Sequence, residues 1–250
     1  MVRAPAGVLL LAADVVVEGV HADLSRTSLA DLGWKALAVN VSDIAAMGGI
    51  PLHALVTVVL PPGRPLEELY RGLLDAQEAF ECPVVGGDLS GGPFLVVTVA
   101  VTGTVEGAPV LRSGARPGDG LYVTRPLGAS EASRRTGLGT AHARPVPRVA
   151  EGTAAREAGA TAMLDLSDGL ALDLRRLADA SVVGVVVDDV PVAPGATVEE
   201  ALGGGEDYEL LAASPVALDG WLRIGTCTAD AGERRLGDGP LPEGGWEHRW

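Results

Sequence analysis

Short β-branched apolar runs alternate with segments of helical period along this chain, and that alternation leaves few architectures open. Residues 8–20 read as one or two buried strands interrupted at Asp14. Residues 28–47 have helical spacing and stop at Gly48-Gly49 followed by Pro51. Residues 52–60 form an apolar strand, and Pro65 opens an amphipathic helix that places Leu66, Leu69, Tyr70, Leu73, Leu74 and Phe80 on one stripe. Val84-Val85 is a short strand ending in Gly86-Gly87-Asp88, and residues 94–105 are the longest strand candidate. Residues 112–119 are a loop of turn formers, so a domain boundary falls near residues 108–118. Beyond it, residues 121–124 restart a strand, residues 149–158 and 170–180 read as helices, and residues 182–187 and 209–212 read as strands. The expected fold class is mixed α/β in two domains, residues 1–112 and 113–250.

Composition narrows the functions such a fold can carry. With 250 residues, 47% of them hydrophobic, the chain can bury one large core or two smaller ones. Aromatic residues are only 4%, so aliphatic side chains must fill it. The 34 glycines and 17 prolines follow no short period, which excludes a collagen-like chain. A formal charge of −14 repels nucleic-acid backbones and anionic lipid, and no apolar run approaches the roughly 18 residues of a membrane span. Neither nucleic acid nor membrane is an expected partner. The start of the chain has a signal-like look, with Arg3 before an apolar run, but the pattern resumes after Asp14 as Val15-Val16-Val17. A cytoplasmic strand is the better reading. Cys82 and Cys227 have no CxxC or zinc spacing and read as buried thiols, which suits a reducing compartment.

The chemistry lies in the acidic residues. Asp14, Asp43, Asp88, Asp165 and Asp168 each sit where an apolar element meets Gly or Ser. Each alone reads as a turn former or helix cap. Together they are the oxygen donors that Mg²⁺ takes, a few carboxylates completed by water and substrate phosphate. Gly86-Gly87 would let backbone approach a ligand, and the helix start after Asp168 could face a phosphate. Two familiar ATP sites are absent. The only lysine, Lys35, stands in a predicted helix, so neither a GxxxxGK[ST] loop nor a kinase-type strand lysine exists, and there is no GxSxG elbow. His21 has no second His or Cys at ligand spacing and is not a zinc ligand.

Longer stretches carry a resemblance. Residues 17–21 (VEGVH), 33–48 (GWKALAVNVSDIAAMG), 86–88 (GGD), 112–119, 165–170 (DLSDGL) and 204–210 (GGEDYEL) are similar, in order and over nearly the whole chain, to thiamine-monophosphate kinases. That family belongs with aminoimidazole ribonucleotide synthetase and selenophosphate synthetase. The resemblance implies an N-terminal α/β domain that binds ATP and metal and dimerises through its sheet, followed by a C-terminal α/β domain. It implies transfer of the ATP γ-phosphoryl group to thiamine monophosphate with Mg²⁺ as cofactor, in a homodimer. It implies metal-ligand roles for Asp14, Asp43, Asp88, Asp165 and Asp168, with Asp43 and Asp168 catalytic. Tyr70, Gly87, Asp88, Arg112 and Ser167 match positions near ATP. His21, Glu206 and Trp246 match positions near thiamine monophosphate. Core packing competes with a ligand role for Tyr70. Two other readings stand beside this one: a relative that uses ATP to activate another small molecule, and a nucleotide-binding homologue without catalysis.

Some positions depart from the family. Its Gly-Asp-Asp-Ala-Ala segment has no counterpart before Asp14, where the chain reads Met1-Val2-Arg3-Ala4-Pro5. Ala13 stands where the family has Thr, Ala22 where it has an aromatic residue, and the stretch from Asp168 to Glu206 is short. The expectation drawn from this is that the reading frame continues upstream of Met1 into an Asp-Asp segment. By that expectation these 250 residues alone bind nucleotide but turn over weakly or not at all.

Overall fold

In the computed structural model, which describes residues 7–247, Ser28 starts the first helix. Its Oγ accepts the Asp31 N–H (3.1 Å) and donates to the Asp31 carboxylate (2.8 Å), a reciprocal cap at the mouth of α1, Leu29–Ala46. Contacts divide the described residues into two compact units. The first takes residues 7–44, 49–108 and 143–147, and the second takes residues 45–48, 109–142 and 148–247.

The first unit is built on four strands: β1 Val8–Val17, β2 Ile50–Leu60, β3 Val84–Gly91 and β4 Val96–Val105. Their order is β1-β4-β2-β3, antiparallel except for the β2–β3 pair. Alternation along β4 buries Val97, Val99, Val101 and Val105. The opposite face is open and apolar, with Leu9, Leu11, Val15, Ile50 and Leu55 exposed. Helix α2, Leu66–Ala79, follows Pro65 as expected and buries Leu69, Gly72, Leu73 and Ala76. It meets α1 through two glycines. A Cβ on Gly72 would lie 1.7 Å from the Ala30 carbonyl oxygen, and one on Gly33 would lie 2.2 Å from that of Leu69. The two helix backbones touch there, and no larger residue fits.

The strap of residues 143–147 closes this unit. Trp34 Nε1 donates to the Pro145 carbonyl (2.8 Å), and Arg144 stacks over the Trp34 ring while pairing with Asp31 (2.5 Å). Lys35 follows Trp34 in α1 and is 3% exposed. No helix among the described residues is long and apolar enough to cross a membrane.

Two strand expectations change in the first unit. The first strand is not interrupted at Asp14; β1 runs through it, with Asp14 opposite Val99. The strand carries the charge because Asp14 is exposed, and its carboxylate takes the Val15 N–H (2.8 Å). Likewise β3 does not stop at Gly86-Gly87-Asp88, because β2 pairs with it in parallel as far as Gly91. A Cβ on Gly87 would lie 1.7 Å from the Val56 carbonyl oxygen, so glycine is required there by strand packing.

The second unit contains β5 Gly120–Val123, α3 Ala129–Thr136, α4 Val149–Ala158, β6 Ala162–Asp165, α5 Leu170–Ser181 and β7 Gly184–Val187. It continues with α6 Val198–Gly203, β8 Leu210–Ser214, β9 Leu222–Thr228, β10 Arg234–Leu236 and β11 Gly239–Pro240. The sheet order is β11-β10-β7-β9-β5-β8-β6. Both faces are covered. Leu121, Val123, Leu164 and Leu211 join Leu170, Leu174 and Leu177 of α5 on one face. Tyr122, Met163, Leu210 and Ala212 join Ala155 of α4 on the other. The strand expected at residues 182–187 begins only at Gly184, because Val182 caps α5 with φ 57°. Cys82 and Cys227 are free and buried as expected, and burial pushes their thiols up to about 11 and about 12.

Candidate active site

In the second unit, β6 ends at Asp165 and the chain turns through Leu166-Ser167-Asp168 into α5. Gly169 makes the turn with φ 110°, and a side chain there would press on Gly203. Backbone hydrogen bonds bring two distant segments onto this turn. Glu206 N–H donates to the Ser167 carbonyl (2.7 Å) and Tyr208 N–H to that of Leu166 (3.0 Å). From the far end, Trp246 N–H donates to the Asp168 carbonyl (2.9 Å). Asp165, Ser167, Asp168, Glu206 and Trp246 are therefore gathered around one turn, although 81 positions of sequence span them. Trp246 is exposed, as a ring available to stack on a flat ligand would be.

Behind the turn stands a carboxylate that the sequence reading passed over. Asp173, in the first turn of α5 and buried at 2% exposure, accepts the Asp168 N–H (2.9 Å) and so ties the turn back onto the helix. Burial pushes its pKa up to about 6, against the pull of the Asp168 N–H, with the Asp168 charge adding to the rise. Arg176, one turn on, bonds both the Asp168 carboxylate and that of Asp173 (2.8 Å). Further along the same wall, Glu209 is clasped by Arg148 through two bonds (2.5 and 2.8 Å) and by the Thr124 hydroxyl (2.5 Å). Arg112 is exposed in the loop before β5, and its carbonyl accepts from Ser181 Oγ (3.3 Å), which also takes the Gly114 and Ala115 N–H groups.

In the first unit the expected residues are spread out. Asp14 and Asp88 lie on β1 and β3, the two outer strands of the sheet, with β4 and β2 between them. Three strand spacings separate those strands, on the order of 14 Å. Asp43 sits in the last turns of α1 and is half-buried. Tyr70 projects from α2 and is exposed, so the packing role that competed for it does not hold. His21 takes the Val17 N–H on Nδ1 (3.1 Å), which leaves the ring proton to Nε2.

The donors offered to a metal are carboxylate oxygens throughout, a set that fits Mg²⁺, which needs only one or two carboxylates beside phosphate and water. Among the described residues, no three His, Cys, Asp or Glu side chains stand close enough together to hold an ion on their own. Sequence reasoning also missed Asp207 and His142. Asp207 accepts the Gly128 (2.6 Å) and Ser130 (3.0 Å) N–H groups, and burial pushes its pKa up to about 6. His142 Nδ1 lies 3.1 Å from the Glu206 carboxylate. Asp207 was visible inside the GGEDYEL stretch; nothing in the sequence singled out His142.

Known proteins are similar to this chain in sequence and in fold. Residues 2–105 match the AIR synthase related protein, N-terminal domain. A thiamine-monophosphate kinase of Rhodopirellula baltica is 38% identical over 216 residues, covering 79% of this chain and 66% of that protein. That of Bacillus subtilis is 37% identical over 229 residues, covering 80% and 70%. Among solved structures, AaThiL complexed with AMPPCP and TMP superposes with a TM-score of 0.87 at 34% identity, covering 96% of this chain and 87% of that one.

Proposed function

This chain belongs to the thiamine-monophosphate kinase family, and we propose that it transfers the γ-phosphoryl group of ATP to thiamine monophosphate, giving ADP and thiamine diphosphate. The observation that carries the reading is the likeness to AaThiL, a protein solved with AMPPCP and TMP, over 96% of this chain. The turn at Asp165–Asp168, with Glu206 and Trp246 drawn onto it, supports it.

The transfer is a direct, in-line displacement. A phosphate oxygen of thiamine monophosphate attacks the γ-phosphorus, the bond to the β–γ bridging oxygen breaks, and ADP leaves. No covalent intermediate on the protein is needed. Magnesium, when bound, supplies the positive charge that offsets repulsion between the two polyanions. Asp14, Asp43, Asp88, Asp165 and Asp168 are the residues we assign to hold it, with Asp43 and Asp168 closest to the chemistry. Tyr70, Gly87, Asp88, Arg112 and Ser167 are assigned to ATP. Arg112 suits phosphate oxygens, and Tyr70 presents an exposed ring. His21, Glu206 and Trp246 are assigned to thiamine monophosphate. Glu206 suits a cationic or amino-bearing heterocycle, and Trp246 stacks on it. The N-terminal domain, residues 1–112, is the metal-binding and dimerising part in this reading, and the cytoplasm is its compartment. The exposed Leu9, Leu11, Val15, Ile50 and Leu55 form the face that a second copy would cover.

The test is a titration of ATP with and without Mg²⁺, followed by an assay for thiamine diphosphate. We expect ATP binding to weaken strongly in EDTA, because uncompensated carboxylates repel the triphosphate. Equal affinity in EDTA would remove the metal assignments, and failure to bind thiamine monophosphate would remove the substrate.

A further inference from the structure

Within residues 205–208, Glu206 and Tyr208 adopt a backbone that their side chains resist. Gly205 has φ 67°, which glycine tolerates, but Glu206 at 56° and Tyr208 at 52° are also in the left-handed region. Strain of this kind persists only where neighbours over-determine it, and it collects at ligand-binding sites. Two of the restraints are the main-chain bonds from Glu206 and Tyr208 to the Ser167–Leu166 turn. The third comes from the residue between them. Helix α3 opens on Gly128, which has no side chain to cap the helix, and the Asp207 carboxylate does so instead, taking the Gly128 and Ser130 N–H groups from 79 and 77 residues away.

The same first turn of α3 also reaches the Glu206 side chain. Ser130, 1% exposed, places its Oγ 3.2 Å from His142 Nδ1, and that nitrogen is 3.1 Å from Glu206 Oε2. One end of α3 thus controls both the backbone of Glu206, through Asp207, and its carboxylate, through His142. A carboxylate that must select a cationic or amino-bearing ring gains by being held in one direction before the ring arrives.

We propose that Asp207 and His142 are positioning residues for Glu206, so that helix α3 sets how tightly the chain binds the heterocycle of thiamine monophosphate. The proposal rests on the assignment of Glu206 to that heterocycle. Neither residue touches ATP in this scheme, so their loss acts on one ligand only.

The experiment measures equilibrium binding of thiamine monophosphate, and separately of ATP with Mg²⁺, by calorimetry. His142→Ala should weaken thiamine monophosphate binding about tenfold, the effect of losing one bond to a charged group, and leave ATP binding within about twofold. His142→Asn, whose amide nitrogen stands where Nδ1 stood and keeps an N–H donor, should recover most of the loss. In a Glu206→Gln background, His142→Ala should cost no more than about twofold further, since a residue acting through Glu206 is not additive with it. Asp207→Asn, which keeps one acceptor for the cap, should weaken thiamine monophosphate binding in the same selective way without unfolding the chain. An additive His142 effect, or a parallel loss of ATP binding in both variants, would overturn the proposal. Unchanged binding in Glu206→Gln alone would instead remove the Glu206 assignment and the proposal with it.

Discussion

The two units solve the same problem, an apolar sheet that must be covered, in different ways. In the second, helices close both faces, and Leu121, Val123, Tyr122 and Met163 alternate between two cores. In the first, one face is packed and the other presents Leu9, Leu11 and Leu55 to solvent. The candidate residues follow the same division. Those of the second unit, Arg112 apart, are stitched to one turn by main-chain bonds, whereas Asp14 and Asp88 lie on opposite outer strands. A finished core can hold a strained, preorganised site such as residues 205–208. An open sheet offers charged residues that something else must organise. The candidate residues gathered on the turn of the second unit are held together by the fold, and those of the first are a set of parts.

The sharpest way to break that comparison is Asp168→Asn. The amide keeps the size and one oxygen for Arg176 to donate to but loses the charge that Arg176 now meets. Turnover should fall about 1,000-fold, the effect of removing one well-placed electrostatic group, with the melting temperature nearly unchanged. Full activity would show the turn to be scaffold only.

A smaller effect comes from pH. Asp207 has a folded pKa of about 6 against an ordinary 3.8, so between those values the unfolded chain gives up a proton that the folded chain keeps. Stability is therefore lost as pH rises from about 4 to about 6, by at most about 3 kcal/mol for a shift of this size. Asp207→Asn should remove about half of that slope, read from denaturant midpoints at each pH, because buried Asp173, also raised to about 6, titrates over the same range. An unchanged slope would place the titration elsewhere.

The smallest effect sharpens the contrast from the first unit. Leu11→Ser, at 68% exposure, should change the stability of an isolated chain by less than about 0.5 kcal/mol. If the open face is covered by a second copy, it should nonetheless shift light scattering at micromolar concentration from dimer to monomer. Two monomeric proteins, altered and unaltered, would show that the face is simply exposed.

How much of this was legible in the sequence follows the range of the interactions. The helical period of residues 28–47 and the stripe of Leu69 and Leu73 gave α1 and α2 because both signals are local. Asp14 and Gly86-Gly87-Asp88 misled, since a carboxylate or glycine ends a strand only when no neighbour pairs with it, and β4 and β2 do pair there. Helix α3 was invisible because its cap comes from Asp207. Residues 165–170 and 204–210 were found as separate motifs. That they share hydrogen bonds, and that His142 meets Glu206, depends on a sheet order no local pattern encodes.

The chain's single lysine has a use of its own. Lys35 is sealed inside α1, so the folded molecule shows solvent no lysine amine from its described residues. Amine-directed reagents then find that side chain only in molecules whose first unit has opened. Its labelling becomes a clock for opening, set in one unit and silent about the other.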